Sequence, residues 1–162
     1  MCRSLGWAKR TRCLVVNVIK VVKATDHLDD IVFLTEQHWD EVGFDFNLSL
    51  SKELYGSFEE CNALICLAAF DDDKKIIGYS TGLLMPHIFN PSIRVCQMHA
   101  LFVEKNKRSS TVPGRLMLET ERVAKERGAQ LLIWQTRAGT GLAATLAKRG
   151  YTESDVAMMK EI

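Results

Sequence analysis

Two groups of residues in this chain have the types and spacing that chemistry needs. The first is the run Arg108-Ser109-Ser110-Thr111-Val112-Pro113-Gly114-Arg115, basic at both ends and rich in hydroxyls. Proline suits the first turn of a helix, where its missing N–H would have had no partner, so a helix is predicted from near Thr111. The free amides at such a start, together with the helix dipole, attract anions. The predicted ligand is a phosphate or pyrophosphate, held by main chain and by the hydroxyls of Ser109, Ser110 and Thr111, with Arg108 and Arg115 on either side. A solvated basic turn would use the same residues, and the residues alone leave both readings open. The second group is the histidines, His27, His38, His87 and His99. A neutral imidazole accepts a proton at pH 7, and a core or surface histidine without a chemical task is the alternative at each position.

A third pattern looks chemical and reads better as structure. Gly139-Thr140-Gly141-Leu142-Ala143-Ala144 fits a dinucleotide-binding G-x-G-x-x-A. That fingerprint belongs to the first strand-helix unit of a parallel sheet and needs an acidic residue about twenty positions on, where this chain is nearly finished. It is read as a turn from strand to helix. The five cysteines, Cys2, Cys13, Cys61, Cys66 and Cys96, contain no CxxC pair. They suggest free thiols in a reducing, cytoplasmic setting and no metal site.

The elements that position these groups follow from periodicity. Val95 to Val103 is a strand, with Leu101, Phe102 and Val103 at its end, and Glu104 to Arg108 is a charged run that closes it. In the helix that follows the basic loop, Val112, Leu116, Thr120 and Val123 recur at helical spacing beside Met117 and Ala124. Glu119, Glu121, Arg122, Lys125 and Glu126 form its wet face, and Gly128 ends it. Earlier in the chain, Leu14 to Lys23 reads as a first strand. A helix capped by Thr25 or Asp26 runs from there to about Val42, and a short helix capped by Ser51 runs to about Phe58. Ala63 to Phe70 and Ile76 to Leu84 form a hairpin around Asp71-Asp72-Asp73-Lys74. Pro86 and Pro91 bracket the next turn. Beyond the long helix, Gln130 to Gln135 is a strand parallel to the one before the loop. Leu142 to Arg149 is a short helix and Gly150 to Met159 a last strand.

Length and charge set limits. With 162 residues, 21 Lys and Arg against 20 Asp and Glu, and a net charge of +1, the chain is one ordinary domain with no global attraction to nucleic acid or membrane. Residues 1–13 read as a basic extension and 14–162 as a single domain. Arg3, Lys9, Arg10 and Arg12 before an apolar run imitate a signal peptide, but Asn17 and Lys20 interrupt the run and no small-residue cleavage site follows. No segment is long and apolar enough to span a bilayer.

A strand ending in Leu101-Phe102-Val103, then an arginine loop, then a long amphipathic helix, resembles the acetyl-CoA-binding core of the GNAT superfamily of N-acetyltransferases, most of all phage-encoded members with degenerate loops. The family loop, Q/R-x-x-G-x-G/A, falls on Arg108-Ser109-Ser110-Thr111-Val112-Pro113. Thr111 and Pro113 stand where the family has small residues, and Gly114 follows one position later. The resemblance implies an α/β (α+β) fold with a mixed, mostly antiparallel sheet of six to seven strands and about four helices. It also implies splaying between the strands Val95 to Val103 and Gln130 to Gln135, and acetyl-CoA in that gap as co-substrate. The coenzyme would be held by Leu101, Phe102, Val103, Arg108, Ser109, Ser110, Thr111, Val112, Gly114 and Arg115, with the backbone of Leu101 and Val103 pairing to its pantetheine amides. Acetyl would pass to a primary amine on a small molecule or peptide.

Met98-His99-Ala100-Leu101-Phe102-Val103 is similar to the histidine-bearing strand of arylalkylamine N-acetyltransferases, which makes His99 the expected base. His87, and Glu41 beside His38, border the acceptor pocket in similar proteins, and Glu41 suits a cationic amine. The family's thiolate-protonating tyrosine, four residues before a glycine-aromatic pair, falls on Leu146 ahead of Gly150-Tyr151. Leu146, Thr111 and Pro113 therefore keep open a second reading, a catalytically silent acyl-CoA-binding or protein-interaction module. Neither membrane nor nucleic acid is an expected partner, and homodimerisation stays open.

Overall fold

The computed structural model describes residues 17–43, 47–137, 139–154 and 160. A five-stranded sheet runs through the described residues in the order β1 (Val18–Val21), β2 (Leu64–Phe70), β3 (Ile76–His87), β4 (Asn90–Val103) and β5 (Leu131–Trp134). The first three pairings are antiparallel, and β4 with β5 is parallel. Four helices accompany it: α1 (Leu28–Val42), α2 (Lys52–Glu60), α3 (Val112–Glu126) and α4 (Gly141–Lys148).

Strand alternation decides which face each helix covers. On β2, Ile65, Leu67 and Ala69 point to one face, where Val112, Leu116, Val123 and Ala124 of α3 pack on them with Ile77, Met98 and Val103. Leu64, Cys66 and Ala68 point to the other face, which meets Ile31 and Leu34 of α1 together with Tyr79 and Phe102. The apolar stripe read from the α3 sequence is the buried one, Val112, Leu116, Met117, Thr120, Val123 and Ala124. Each large side chain in it contributes about 1.5–3 kcal/mol through removal from water. Gly128, at φ +87°, turns the chain out of that helix.

Several boundaries differ from the sequence expectation. The first strand is shorter at Val18–Val21, and the basic stretch 1–13 with residues 14–16 lies outside the described residues. Thr25 does not cap α1. Its hydroxyl donates to Glu59 Oε2 at 2.6 Å and its N–H to Oε1 at 3.2 Å, so a 3-10 turn over Ala24–Asp26 precedes the helix. Ser51 caps α2 as expected, its Oγ accepting from Leu54 N at 3.1 Å.

The β3–β4 ribbon runs on to His87 and Asn90, with Pro86 and Pro91 inside it. Proline is tolerated there because β2 pairs only as far as Leu83 and β5 begins opposite Val95, which leaves both outer edges of the ribbon without a strand. The sheet therefore has five strands among the described residues, short of the six to seven expected. Tyr151 to Ser154, the start of the expected last strand, are not in a strand, and residues 155–159 lie outside the described residues.

Candidate functional site

The site begins where β4 and β5 part. Their pairing runs from Val95 opposite Leu131 to Met98 opposite Trp134 and ends on the bond from Gln135 N to Met98 O at 3.1 Å. Past that rung β4 continues alone. On its other side, Thr81 pairs with Ala100 and Gly82 with Met98, so His99 is the extra residue of a β-bulge. Gly82 makes this arrangement possible, since a Cβ there would overlap Met98 Sδ and lie 2.7 Å from Gln97 O.

Beyond the bulge, Glu104 N donates to Ile77 O at 2.9 Å. Alternation in an antiparallel ladder then directs the N–H and C=O of Leu101 and Val103 away from β3, toward the open edge. Under that edge lies a cavity of about 360 Å³ lined by Leu101, Val103, Arg108, Pro113, Gly114, Met117, Gly141, Leu142 and Thr145.

The loop above the cavity is the one singled out from sequence. Ser110 N donates to Lys107 O at 3.1 Å, Val112 N to Ser110 Oγ at 3.2 Å and Arg115 N to Thr111 O at 3.0 Å. The N–H groups of Ser109, Thr111 and Gly114 make no bond among the described residues. A Cβ on Gly114 would meet nothing within 4 Å, so the main chain there is open to a ligand. These amides and the α3 N-terminus are what a diphosphate needs, and the unpaired edge of β4 suits a chain carrying amides, so the residues present fit a coenzyme A tail.

The two arginines turn elsewhere. Arg115 donates to Asn17 O at 2.8 Å. Arg108 donates from Nε to Val103 O at 2.8 Å and pairs with Glu41 at 2.8 Å, and its guanidinium lies 4.9 Å from the centre of the Phe102 ring.

His99 is exposed, and its Nδ1 lies 3.1 Å from Gln135 Oε1. A carbonyl oxygen only accepts, so in the neutral ring the proton sits on Nδ1 and Nε2 carries the lone pair. The sequence marks Gln135 only as the end of a strand. The cue available there was that strand's last position, where a parallel partner would diverge.

His87 is not near this point. It lies six positions along β3 from Thr81, roughly 20 Å at strand rise, in the ribbon turn where its Nδ1 accepts from Phe89 N at 3.3 Å. Glu41 is brought to Arg108 rather than to His99. His38, its neighbour on α1, stacks on Phe102 with ring centres 5.1 Å apart and approaches Tyr79 Oη at 3.2 Å. Burial holds this imidazole below its ordinary value; nearby Glu41 opposes the shift and Arg108 adds to it. Burial also raises the Tyr79 phenol, whose oxygen is bonded with Thr35 Oγ1 at 3.0 Å.

The far wall of the cavity is the start of α4. Thr140 caps that helix by accepting from Ala143 N at 3.2 Å, so the glycine-rich run there is the structural turn expected. Leu146, at the position of the family tyrosine, is buried. Tyr151 is a corner residue, donating to Glu121 at 3.1 Å and accepting from Trp134 Nε1 at 3.2 Å. Cys66 and Cys96 are buried thiols that burial pushes up to about 12 and about 11, which makes them poor nucleophiles at neutral pH. Among the described residues no cluster of acidic, histidine or cysteine side chains suits a metal, and no helix is long and apolar enough to cross a membrane.

The fold recurs in solved N-acetyltransferases. An aminoglycoside acetyltransferase from an uncultured soil metagenomic sample, in complex with sisomicin, superposes with a TM-score of 0.72 at 15% identity, over 90% of this chain and 96% of that one. Ribosomal-protein-alanine N-acetyltransferase from Brucella melitensis biovar Abortus 2308 gives 0.69 at 13% identity, over 90% and 98%. Glucosamine-6-phosphate N-acetyltransferase from Arabidopsis thaliana gives 0.68 at 13%, over 90% and 98%. At these identities the likeness is one of fold. No curated protein matches the chain significantly in sequence. The sequence model of the acetyltransferase (GNAT) family does match, over residues 31–151, and the open strand edge, cavity and loop just described all lie within that span. The chain belongs to the acetyltransferase (GNAT) family.

Proposed function

We propose that this protein moves an acetyl group from acetyl-CoA to the primary amine of a small molecule or peptide, with His99 as general base. The observation that carries the reading is the edge of β4 past Met98 that no strand pairs, set above a cavity lined by Arg108, Pro113 and Gly114 of the loop in which the amides of Ser109, Thr111 and Gly114 are unbonded among the described residues. In this reading the amides of Leu101 and Val103 pair with the pantetheine arm. The hydroxyls of Ser109 and Thr111 add to the diphosphate pocket, and Val112 seats the helix start against the core. The thioester then lies near the bulge, where the Nε2 of His99 takes the proton of the attacking ammonium directly or through water. Gln135 fixes the tautomer that carries the proton on Nδ1 and presents Nε2 as the basic nitrogen. Leu146 supplies no hydroxyl, so the departing thiolate takes its proton from solvent, which an ordinary thiol acidity allows.

Thermal unfolding with acetyl-CoA, CoA and NAD tests the ligand. The two CoA species raise the midpoint and NAD does not; no shift with either CoA species overturns the proposal. Leu146 also favours a second reading, a silent acyl-CoA-binding module on the same fold. Thiol release across a panel of amines separates the two, since a silent module binds the coenzyme and releases none.

A further inference from the structure

We propose that Glu41 is a positioning residue acting through Arg108, and that the pair holds the coenzyme edge of β4 closed until the coenzyme displaces the guanidinium. This rests on the coenzyme reading above and concerns how that same site is entered. Val103 O faces the open edge, where a pantetheine amide would bond, and in the free protein it already accepts from Arg108 Nε at 2.8 Å. Arg108 also lines the cavity, so its place and the ligand's place overlap.

Three contacts keep it there. The Val103 carbonyl and the Glu41 carboxylate, at 2.8 Å, take its donors, and the Phe102 ring lies 4.9 Å beneath it. Glu41 reaches across from α1, 67 residues away in sequence, and no other described residue bonds its carboxylate. Displacement does not strand the charge. Ser109 is the next residue, and its free amide belongs to the anion pocket, so a guanidinium leaving Val103 O has a diphosphate within reach of its own stem. Arg108 thus exchanges a carbonyl and a carboxylate for phosphate oxygens, which bind a guanidinium in the same forked geometry.

The pair is half-exposed, with side chains 37% and 43% accessible, so it restrains Arg108 by about two- to fivefold in an equilibrium constant rather than by orders of magnitude. Glu41→Gln keeps the shape and removes the charge. Measured by titration calorimetry at fixed ionic strength, acetyl-CoA binds this variant about two- to fivefold tighter than wild type. Asp40→Asn makes the same charge change one residue along α1 without touching Arg108, and leaves affinity within about 1.5-fold. Equal gains in both variants reduce the effect to general electrostatics and overturn the latch, as does unchanged or weaker binding by Glu41→Gln.

The wild-type protein supplies an independent readout. Its Arg108 Nε–H resonance, assigned by its loss in Arg108→Lys, shifts when acetyl-CoA saturates the protein. A resonance that stays in place while the coenzyme binds overturns the latch and leaves the coenzyme reading standing. Failure of acetyl-CoA to bind any of these proteins, wild type included, overturns both.

Discussion

His99 is the residue of β4 that the bulge leaves without a partner on β3, and its side chain is hydrogen-bonded to Gln135. A base held this way is aimed and has one free nitrogen. His99→Ala is expected to lower turnover about a hundredfold with the coenzyme affinity unchanged, as measured by thiol release beside calorimetry. His38 has a different task. Its pKa is depressed by burial, so the native state refuses a proton that the unfolded chain accepts. Stability is therefore complete above the ordinary histidine value of 6.5 and falls as the pH drops from there toward the lowered native value. His38→Gln should flatten that part of the profile in denaturant titrations between about pH 7 and 5. An identical slope in wild type and variant would assign the effect to other groups. Sequence named both histidines and could rank neither by environment, because Phe102, Tyr79 and Gln135 come to them from other elements.

At the scale of elements, the bulge is what makes the site. Gly82→Ala places a methyl group against Met98 and the Gln97 carbonyl, and β4 must shift to admit it. Overpacking of this kind costs about 1–3 kcal/mol. The variant should unfold at lower denaturant and lose more activity than the stability loss explains, because His99 moves with β4. Full activity in a destabilised variant would detach catalysis from the bulge.

The strands and helices were legible because each carries one unbroken pattern: a continuous apolar run on β2, a helical stripe on α3. What stayed hidden was set by distant partners. Thr25 looks like a cap in sequence, yet Glu59 takes its hydroxyl. Pro86 and Pro91 look like turn residues, yet the ribbon admits both because its edges are bare. Arg108 looks like a phosphate ligand, while Glu41 and Val103 hold it in the free protein.

For the whole molecule, the order of elements sufficed for the family, since the strand, basic loop and helix are consecutive in sequence and remain neighbours in space. The count of strands did not follow so simply, with five among the described residues. If the coenzyme reading holds, acetyl-CoA at a hundred times its dissociation constant adds about 2.7 kcal/mol to the stability of the folded form. For a chain of this size that raises the midpoint by about 5–10 °C.

Hydrogen exchange resolved to single amides tests the central claim most directly. With saturating acetyl-CoA, the amides of Leu101 and Val103, which face the open edge and have no strand beside them, should exchange at least tenfold more slowly, together with those of Ser109, Thr111 and Gly114. Binding that leaves Leu101 and Val103 unchanged while protecting amides elsewhere would contradict the placement of the coenzyme between β4 and β5.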